Sequence, residues 1–514
     1  MSQLDLPAGA RGSWLDSWRA VAALALALTL YRAWLINHIG FTLFYDEAQY
    51  WDWSRQLAWG YYSKPPMIAA LIWVTTHLGG DSMLAIKLSS TLLYPLTALF
   101  VGLLARALHP RAGTTAAVLF LCLPLTGILS LFTSTDASLL LFWSAAAFTL
   151  WQAQTTDRLG WWAALGVACG LGLLSKYTMA AFGMSALLAL WWVPGPRRGL
   201  WRIGPWVSVV IALAWLAPNL AWNAAHDFPT LKHTADITTR AHRAGGVREA
   251  VEFLLGQALL LGPLGAWWAW RGLRHVGRQH PAQDVAGTPP GARLYLLVLT
   301  LPLLMLAVAQ AYKAHAHLNW AAPAHVGSVV FMALALHQAS GQRRQRAVHW
   351  VLISNLVLVA ITTHASDLAH LTGRPLPAKL DAFARMRGWD RAFAQVRQGI
   401  PALSLPGQPA PTVLAEDRVL LAQAAYQWRD LDVHPVAWNP LGGMEDHYEL
   451  TTRLQPEPGR QWLLLTQTDM AAAPIRARFE RNDAVAHARV EVAPGRFVEL
   501  HAYLLSGFLG YAKP

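Results

Sequence analysis

The stretch FYDEAQYWDWSRQLAWGYYSKPPMIAALI, residues 44–72, places two acids, a lysine and many aromatic side chains between apolar segments. Asp46 and Glu47 follow a long apolar run, and Lys64 stands directly before two prolines. Tryptophan and tyrosine are enriched where a protein crosses from lipid into water. The stretch therefore predicts an interfacial segment between membrane-spanning helices.

The composition of the whole chain supports this interpretation. Of its 514 residues, 54% are hydrophobic and only 14% are charged, whereas soluble proteins carry about 25% charged residues. Apolar runs long enough to cross a bilayer recur through the first 366 residues. The runs predict a mostly α-helical, polytopic membrane protein with about 11 spans, near 18–39, 83–105, 114–132, 137–153, 161–175, 178–194, 203–222, 250–270, 292–311, 321–338 and 348–366.

The segment 66–78 is apolar but too short to cross comfortably, so we expect a helix that lies in the interface or re-enters. If it does not cross, the basic loops fall on one side together with the N-terminus, and that side is cytoplasmic. These loops are residues 106–111, 194–202, 271–278 and 341–346. The net charge of +12 then reflects positive-inside loops, and no motif indicates nucleic-acid binding.

The opposite, periplasmic side then receives the polar groups that could carry chemistry. It holds residues 40–82 (the first loop), Asp136, Lys176 and residues 223–249 (the basic loop). The C-terminus falls on the same side. The active site is therefore expected to face the periplasm.

The composition changes towards the C-terminus. We predict a transmembrane catalytic domain over residues 1–370, a helical and proline-rich connection over 371–410, and a small extracytoplasmic domain over 411–514. Short alternating apolar runs separated by turns indicate that this last domain is α/β.

Each candidate residue has a functional interpretation and a purely structural one. Asp46 and Glu47 fit a general base on an acceptor hydroxyl, or acids that only mark the end of a span. Lys64 fits a phosphate-binding charge at a helix start, or an interfacial lysine whose ammonium reaches for water. Asp136 in FTSTDAS fits a second site acid, or an N-cap segment with Ser134.

Lys176 fits a functional charge with a partner, or a short turn between two spans. The basic loop suits a diphosphate or lipid phosphate, and equally a solvated loop. The H-x-H pair of His315 and His317 is weak as a metal motif, because no third ligand has a defined spacing. No glycine-rich nucleotide loop or hydrolase motif is present in the sequence.

Five segments in order resemble the bacterial branch of the protein O-mannosyltransferase-like superfamily, which includes the aminoarabinose transferase that modifies lipid A. They are FYDEAQYW…GYYSKPPM, FTSTDASLLLFW, GLGLLSKYTM, FPTLKHTADITTR and HAHLNWAAPA. The resemblance covers residues 15–370 well and the remainder loosely. It implies a GT-C membrane fold and a glycosyltransferase that uses a polyprenyl-phosphate sugar.

The resemblance also implies roles for individual residues. The implied catalytic residues are Asp46, Glu47 and Asp136, and the implied donor-phosphate residues are Lys64 and, chosen within the matching basic loop, Arg240. Lys176 is a further donor-phosphate candidate, from its own position in the sequence. Further candidates near the site are Tyr62, His242, Lys232 and His233. Many relatives carry an acid directly before the prolines, where this chain has Ser63 and Lys64. We therefore assign no metal ligand and expect no obligatory divalent ion, although the sequence does not decide whether a divalent metal is used.

The expected reaction is a direct, inverting displacement at the anomeric carbon, with polyprenyl phosphate as leaving group once its charge is neutralised. The acceptor is a glycolipid such as lipid A, a polysaccharide or a protein, which covers lipopolysaccharide modification and protein glycosylation. The resemblance implies a bacterial inner-membrane location. The alternative is a transporter or flippase of lipid-linked sugars, which should place charges at the membrane midplane in paired, broken helices.

Overall fold

The computed structural model describes residues 16–193, 201–239, 245–274, 288–339, 341–400, 403, 412–455 and 460–511. Its N-terminal part is helical. The helices are α1 (Trp18–His38), α2 (Tyr45–Arg55), α3 (Met67–Gly79), α4 (Met83–Thr91), α5 (Leu93–Leu108), α6 (Gly113–Leu121), α7 (Pro124–Leu129), α8 (Thr135–Thr156), α9 (Leu159–Ser175), α10 (Ala180–Trp192), α11 (Ile203–Ala225), α12 (Pro229–Thr239), α13 (Val247–Leu261), α14 (Pro263–Arg274), α15 (Ala292–Lys313), α16 (Ala324–His337) and α17 (Gly341–Thr363).

The predicted membrane character is confirmed, but the number of eleven spans is not. Among the described residues, five helical segments are long and apolar enough to cross a bilayer: Trp18–His38, Met83–Leu108, Ile203–Ala225, Ala292–Lys313 and Gly341–Thr363. Four shorter apolar helices of 10–17 residues accompany them, among them Met67–Gly79, which the sequence predicted as a short helix. The chain is a multi-pass membrane protein.

Two predicted spans are interrupted at proline. The segment predicted at 250–270 consists of α13 and α14, which meet at 102°. Gly262 lies between them with a φ of +79°, a conformation that glycine adopts readily, and Pro263 begins the second helix. In the same way, Pro124 begins α7 directly after α6 has ended. Proline terminates a preceding helix because it lacks an amide hydrogen and clashes with the previous turn.

The C-terminal part forms a mixed sheet with helices around it. Its elements are α18 (Ala365–Leu371), α19 (Trp389–Gly399), β1 (Thr412–Ala415), α20 (Arg418–Gln427), β2 (His434–Ala437), α21 (His447–Thr451), β3 (Gln461–Thr466), α22 (Asp469–Arg476), β4 (Phe479–Ala493) and β5 (Arg496–Phe508). The strand order is β2-β1-β3-β5-β4. β1 pairs in parallel with β2 and β3, whereas β5 is antiparallel to β3 and β4. The predicted α/β character of this part is confirmed.

The sheet buries side chains on both faces, as period-2 alternation requires. Val413, Leu463 and Leu465 pack in one apolar cluster, whereas Leu414 and Leu464 belong to a cluster on the other face. Helix α19, which lies within the predicted 371–410 connection, packs on the first of these faces.

The same cluster joins the C-terminal sheet to the first loop. It contains Trp51 and Trp53 of α2 and Ile68 of α3, together with side chains of α19 and α20. The rings of Trp51 and Tyr426 meet edge to face at 5.3 Å, a contact worth about 0.5–1.5 kcal/mol beyond the area that it buries. The first loop is therefore packed beneath the C-terminal α/β layer, and this packing positions the candidate site.

Candidate active site

Asp46 lies in the first turn of α2 and faces a cation from the C-terminal part. Arg418 donates from Nη1 to Asp46 Oδ1 at 2.9 Å and to Gln49 Oε1 at 2.7 Å. The side chains of Asp46 and Arg418 are each 35% exposed. Asp46 thus keeps solvent access while an arginine holds its orientation.

Glu47, the next residue, is directed into the protein interior. Its two carboxylate oxygens accept from Lys87 Nζ at 2.6 and 2.7 Å. The backbone amides of Phe44 and Thr133 donate to it at 2.7 and 2.6 Å. The side chain is 1% exposed, and its ion pair connects α2, α4 and the segment before α8. The geometry makes Glu47 a residue that fixes the first loop against α8.

Asp136 lies in the first turn of α8 and is buried. It accepts from Lys176 Nζ at 2.7 Å and from Asn319 Nδ2 at 2.7 Å. Ser134 occupies the N-cap position but makes no side-chain capping bond, so helix capping does not account for this acid. Asp136 instead joins a polar cluster contributed by three distant segments.

Lys64 lies near Asp46 and Asp136. The charges of Asp46, Asp136, Lys176 and Arg418 all act on its ammonium group, which is half-buried. Burial and the neighbouring Lys176 cation lower the pKa of Lys64 to about 8. Over the described part of the chain, its ammonium has no hydrogen-bond or ion-pair partner. An unpaired, partly buried cation next to a helix start is suited to bind an anion.

Two further predicted residues border this cluster. The rings of Tyr62 and His233 lie 5.2 Å apart, and Tyr62 Oη donates to the backbone carbonyl of Met444 at 2.9 Å. Burial and the Lys64 cation lower the pKa of His233 to about 4, so its imidazole is neutral at pH 7. Lys232 is exposed.

The structure thus brings Asp46, Lys64, Asp136 and Lys176 together, with Tyr62 and His233 beside them. Their mutual electrostatic influence shows this proximity, although 130 positions of sequence separate the first from the last (176 − 46). Arg240 and His242 lie outside the described residues.

The chain is similar to several known proteins. Residues 63–222 match the family model described as dolichyl-phosphate-mannose-protein mannosyltransferase. The lipid A galacturonosyltransferase RgtD of Rhizobium johnstonii is 28% identical over 457 residues, which cover 87% of this chain and 91% of that protein. An undecaprenyl phosphate-α-4-amino-4-deoxy-L-arabinose arabinosyl transferase of Pseudomonas fluorescens is 26% identical over 230 residues, 43% of this chain and 36% of its own length.

The crystal structure of ArnT from Cupriavidus metallidurans bound to undecaprenyl phosphate has the same fold. It superposes with a TM-score of 0.64 and 16% identity, over 97% of this chain and 100% of that one. The chain therefore has the fold of ArnT, and its sequence is similar to glycosyltransferases named for galacturonosyl and aminoarabinose transfer. The resemblance expected from the sequence motifs is therefore confirmed.

Several residues of this glycosyltransferase site were not expected from the sequence. Arg418 lies 372 positions from Asp46, and no local pattern connects the two. Lys87 lies within an apolar run, where a single lysine gives no sign of its partner. Asn319 lies in the quoted HAHLNW segment, in which the two histidines are the more evident candidate ligands. Only the partners of Lys87 and Asn319 in the folded chain reveal their roles.

Potential metal ligands occur in the C-terminal sheet of the glycosyltransferase. Among the described residues, one group of potential ligands lies within 4.8 Å of one another: His487, Glu499 and His501, on β4 and β5. His487 Nε2 already contacts Glu499 Oε1 at 3.0 Å, and Arg489 Nε lies 3.9 Å from Oε2. Arg489 already neutralises the negative charge of Glu499, which a bound metal ion would need. The group therefore fits a surface ion-pair cluster.

Proposed function

We propose that this glycosyltransferase moves a sugar from a polyprenyl-phosphate donor to lipid A or a related glycolipid on the periplasmic face of a bacterial inner membrane. The observation that carries the proposal is the ammonium of Lys64, which pairs with none of the described residues and is set near Asp46, Asp136 and Lys176 in a GT-C fold. A phosphate group requires such a cation, and a carboxylate beside it suits an acceptor hydroxyl.

The reaction then follows from the roles of these residues. An acceptor hydroxyl oxygen attacks the anomeric carbon while the bond from that carbon to the phosphate oxygen breaks. The bond electrons leave with polyprenyl phosphate, whose charge Lys64 stabilises. Asp46 takes the hydroxyl proton, and a single displacement inverts the anomeric configuration. Lys176 holds Asp136 as a second, fixed carboxylate beside the sugar.

The donor sugar is proposed to be a uronic acid. RgtD, named for galacturonosyl transfer, aligns over 91% of its length, whereas the aminoarabinose transferase aligns over 36%. Similarity over 87% of this chain spans the position of Arg418 in the C-terminal part, whereas the match to the aminoarabinose transferase covers 43% of this chain. The acceptor is proposed to be lipid A on the same basis.

The domains are proposed to have separate roles. Residues 1–370 are proposed to bind the lipid-linked donor, and residues 411–514 to cover the first loop from the periplasm, joined by 371–410. The packing of Trp51 against Tyr426 supports a cover of this kind, because it fixes α20 on α2.

The test is sugar transfer by the purified protein in proteoliposomes. Undecaprenyl phosphate carrying galacturonic acid is supplied as donor, with lipid A, lipopolysaccharide core or a protein extract as acceptor in separate reactions. Mass spectrometry is expected to find one added uronic acid residue on lipid A. No transfer to any acceptor, together with unchanged envelope lipids in a deletion strain, would contradict the proposal.

A further inference from the structure

The N-terminal cap of α20 holds Arg418 in place. It is the first residue of α20, and the preceding Asp417 caps that helix by accepting from the amide of Val419 at 2.8 Å. The other carboxylate oxygen of Asp417 accepts from Gln467 Nε2 at 3.1 Å, which fixes the cap to the end of β3. Capping of this kind contributes about 0.5–2 kcal/mol and defines the direction in which the first helical residue points.

The helix itself is fixed against the first loop. Gln423 Nε2 donates to the carbonyl of Leu43 at 2.9 Å, and Tyr426 packs on Trp51. Tyr448, from α21, donates to Asp52 of α2 at 2.9 Å. Arg418 therefore reaches the site from a rigid element, with its guanidinium carbon 5.2 Å from the centre of the Tyr45 ring.

Within the described part of the chain, Arg418 makes its hydrogen bonds from one nitrogen of its guanidinium. Nη1 makes both hydrogen bonds, to Asp46 and to Gln49. Nε and Nη2 make no hydrogen bond to any residue that the structure describes, and the side chain is 35% exposed. These unused N–H groups form the fork that binds a carboxylate through two parallel hydrogen bonds.

The acids of the site are already engaged with cations. Asp46 is bound to Arg418, Glu47 to Lys87 and Asp136 to Lys176. A sugar with an ammonium group would have to compete with these cations for a carboxylate, whereas an anionic sugar meets the free edge of Arg418 directly. The charge arrangement thus favours an acidic sugar.

We infer that Arg418, supplied by the C-terminal part, selects donors whose sugar carries a carboxylate, by binding that carboxylate through Nε and Nη2 while Nη1 orients Asp46. The inference rests on the proposed function and adds the specificity-determining group. Lys64 binds the phosphate and Arg418 the sugar carboxylate, so two cations recognise the two anionic groups of one donor.

The test compares two donors that differ only in this carboxylate, undecaprenyl-phosphate galacturonic acid and undecaprenyl-phosphate galactose. The readout is the ratio of their kcat/KM values, because loss of Asp46 orientation alone lowers both and leaves the ratio unchanged. Arg418→Ala is expected to lower the ratio about 10- to 100-fold, since a hydrogen bond to a charged group contributes about 1.5–3 kcal/mol. Arg418→Lys keeps the charge without the fork and is expected to lower the ratio less.

Arg429→Ala is the matched control, because Arg429 lies two residues beyond the end of α20, at the opposite end from Arg418, and donates to the Tyr426 carbonyl. It should leave the ratio unchanged. A ratio that is equal in wild type, Arg418→Ala and Arg418→Lys overturns the inference alone. Wild-type preference for galactose overturns the inference together with the proposed uronic acid donor. Wild-type protein that transfers neither sugar overturns the proposed function itself, and the inference with it.

Discussion

Asp46 and Glu47 are neighbours in sequence, yet their carboxylates have opposite surroundings. The Asp46 side chain is 35% exposed and contacts an arginine that is itself 35% exposed. The Glu47 side chain is 1% exposed and contacts a lysine with 0% exposure. Successive helical residues point about 100° apart, so α2 directs one acid to the site and the other to the interior.

This difference separates two roles that could not be distinguished from the sequence alone. A buried carboxylate that accepts four hydrogen bonds has no free oxygen edge for a substrate, whereas a partly exposed one can approach an acceptor hydroxyl. We therefore propose that Asp46 acts on the substrate and that Glu47 positions the loop that carries it. Substitutions at the two pairs should accordingly change different measured quantities.

The largest effect is expected for Asp46→Asn. Loss of a general base lowers turnover by about 100- to 10,000-fold, and the amide preserves the size of the side chain. The measurement is the single-turnover rate of sugar transfer, with the melting temperature in detergent as the check on folding. Glu47→Gln is the matched control, because it should melt earlier yet retain transfer per folded molecule. Full activity in Asp46→Asn would contradict the different roles proposed for Asp46 and Glu47.

The next effect concerns stability. Lys87→Met leaves Glu47 as a buried, unpaired carboxylate and should lower the free energy of unfolding by about 3–5 kcal/mol. Denaturant unfolding in detergent measures this loss. Adding Glu47→Gln to the same protein removes the unpaired charge and should restore part of the stability. A Lys87→Met protein as stable as wild type would show that the pair does not hold the first loop.

A smaller effect is expected from the protonation of Lys64. Its pKa is about 8, so the cation is present below that pH and is lost as the pH rises through it. The kcat/KM for donor should therefore fall above pH 8. Lys64→Arg should move this decline to higher pH, because arginine stays charged. Lys64→Ala should weaken donor use more than Lys64→Arg does. A pH profile that is identical in wild type and Lys64→Arg would exclude this titration as its cause.

The smallest effect is expected at the far end of α2. Arg55 Nη1 lies 3.2 Å from Asp81 Oδ2, with side-chain exposures of 55% and 34%. Exposed pairs of this kind contribute about 0–1 kcal/mol. Arg55→Ala should therefore leave both transfer and melting close to wild type. A large loss in either would mean that α2 depends on its surface pairs as much as on Lys87.

The sequence predicted much of the fold and part of the site. Long apolar runs and a change of composition are local signals, so the helical membrane part and the α/β C-terminal part were both expected and are confirmed. The spans near 114–132 and 250–270 were expected to be continuous because hydropathy averages over Pro124 and Pro263, where helices break. The count of eleven spans is accordingly not confirmed.

The partners of the acids were not predictable from local signals. Arg418 reaches Asp46 only because the α/β layer packs on the first loop, and Lys87 reaches Glu47 only through burial inside an apolar run. Such contacts depend on tertiary packing between segments far apart in sequence. The roles assigned to Asp46, Glu47, Lys64 and Asp136 stay predictions until the transfer reactions are measured.

The most direct test of the account is the accessibility of position 63, next to Lys64, to a membrane-impermeant maleimide. Ser63→Cys is made with Cys122 and Cys169 replaced by alanine, and Arg343→Cys in the same background reports on the opposite side. In intact spheroplasts, the account predicts rapid labelling at position 63, slowed by added undecaprenyl phosphate, and labelling at 343 only after the membrane is permeabilised. Labelling at position 63 only after permeabilisation, or at a rate that undecaprenyl phosphate leaves unchanged, would contradict the account.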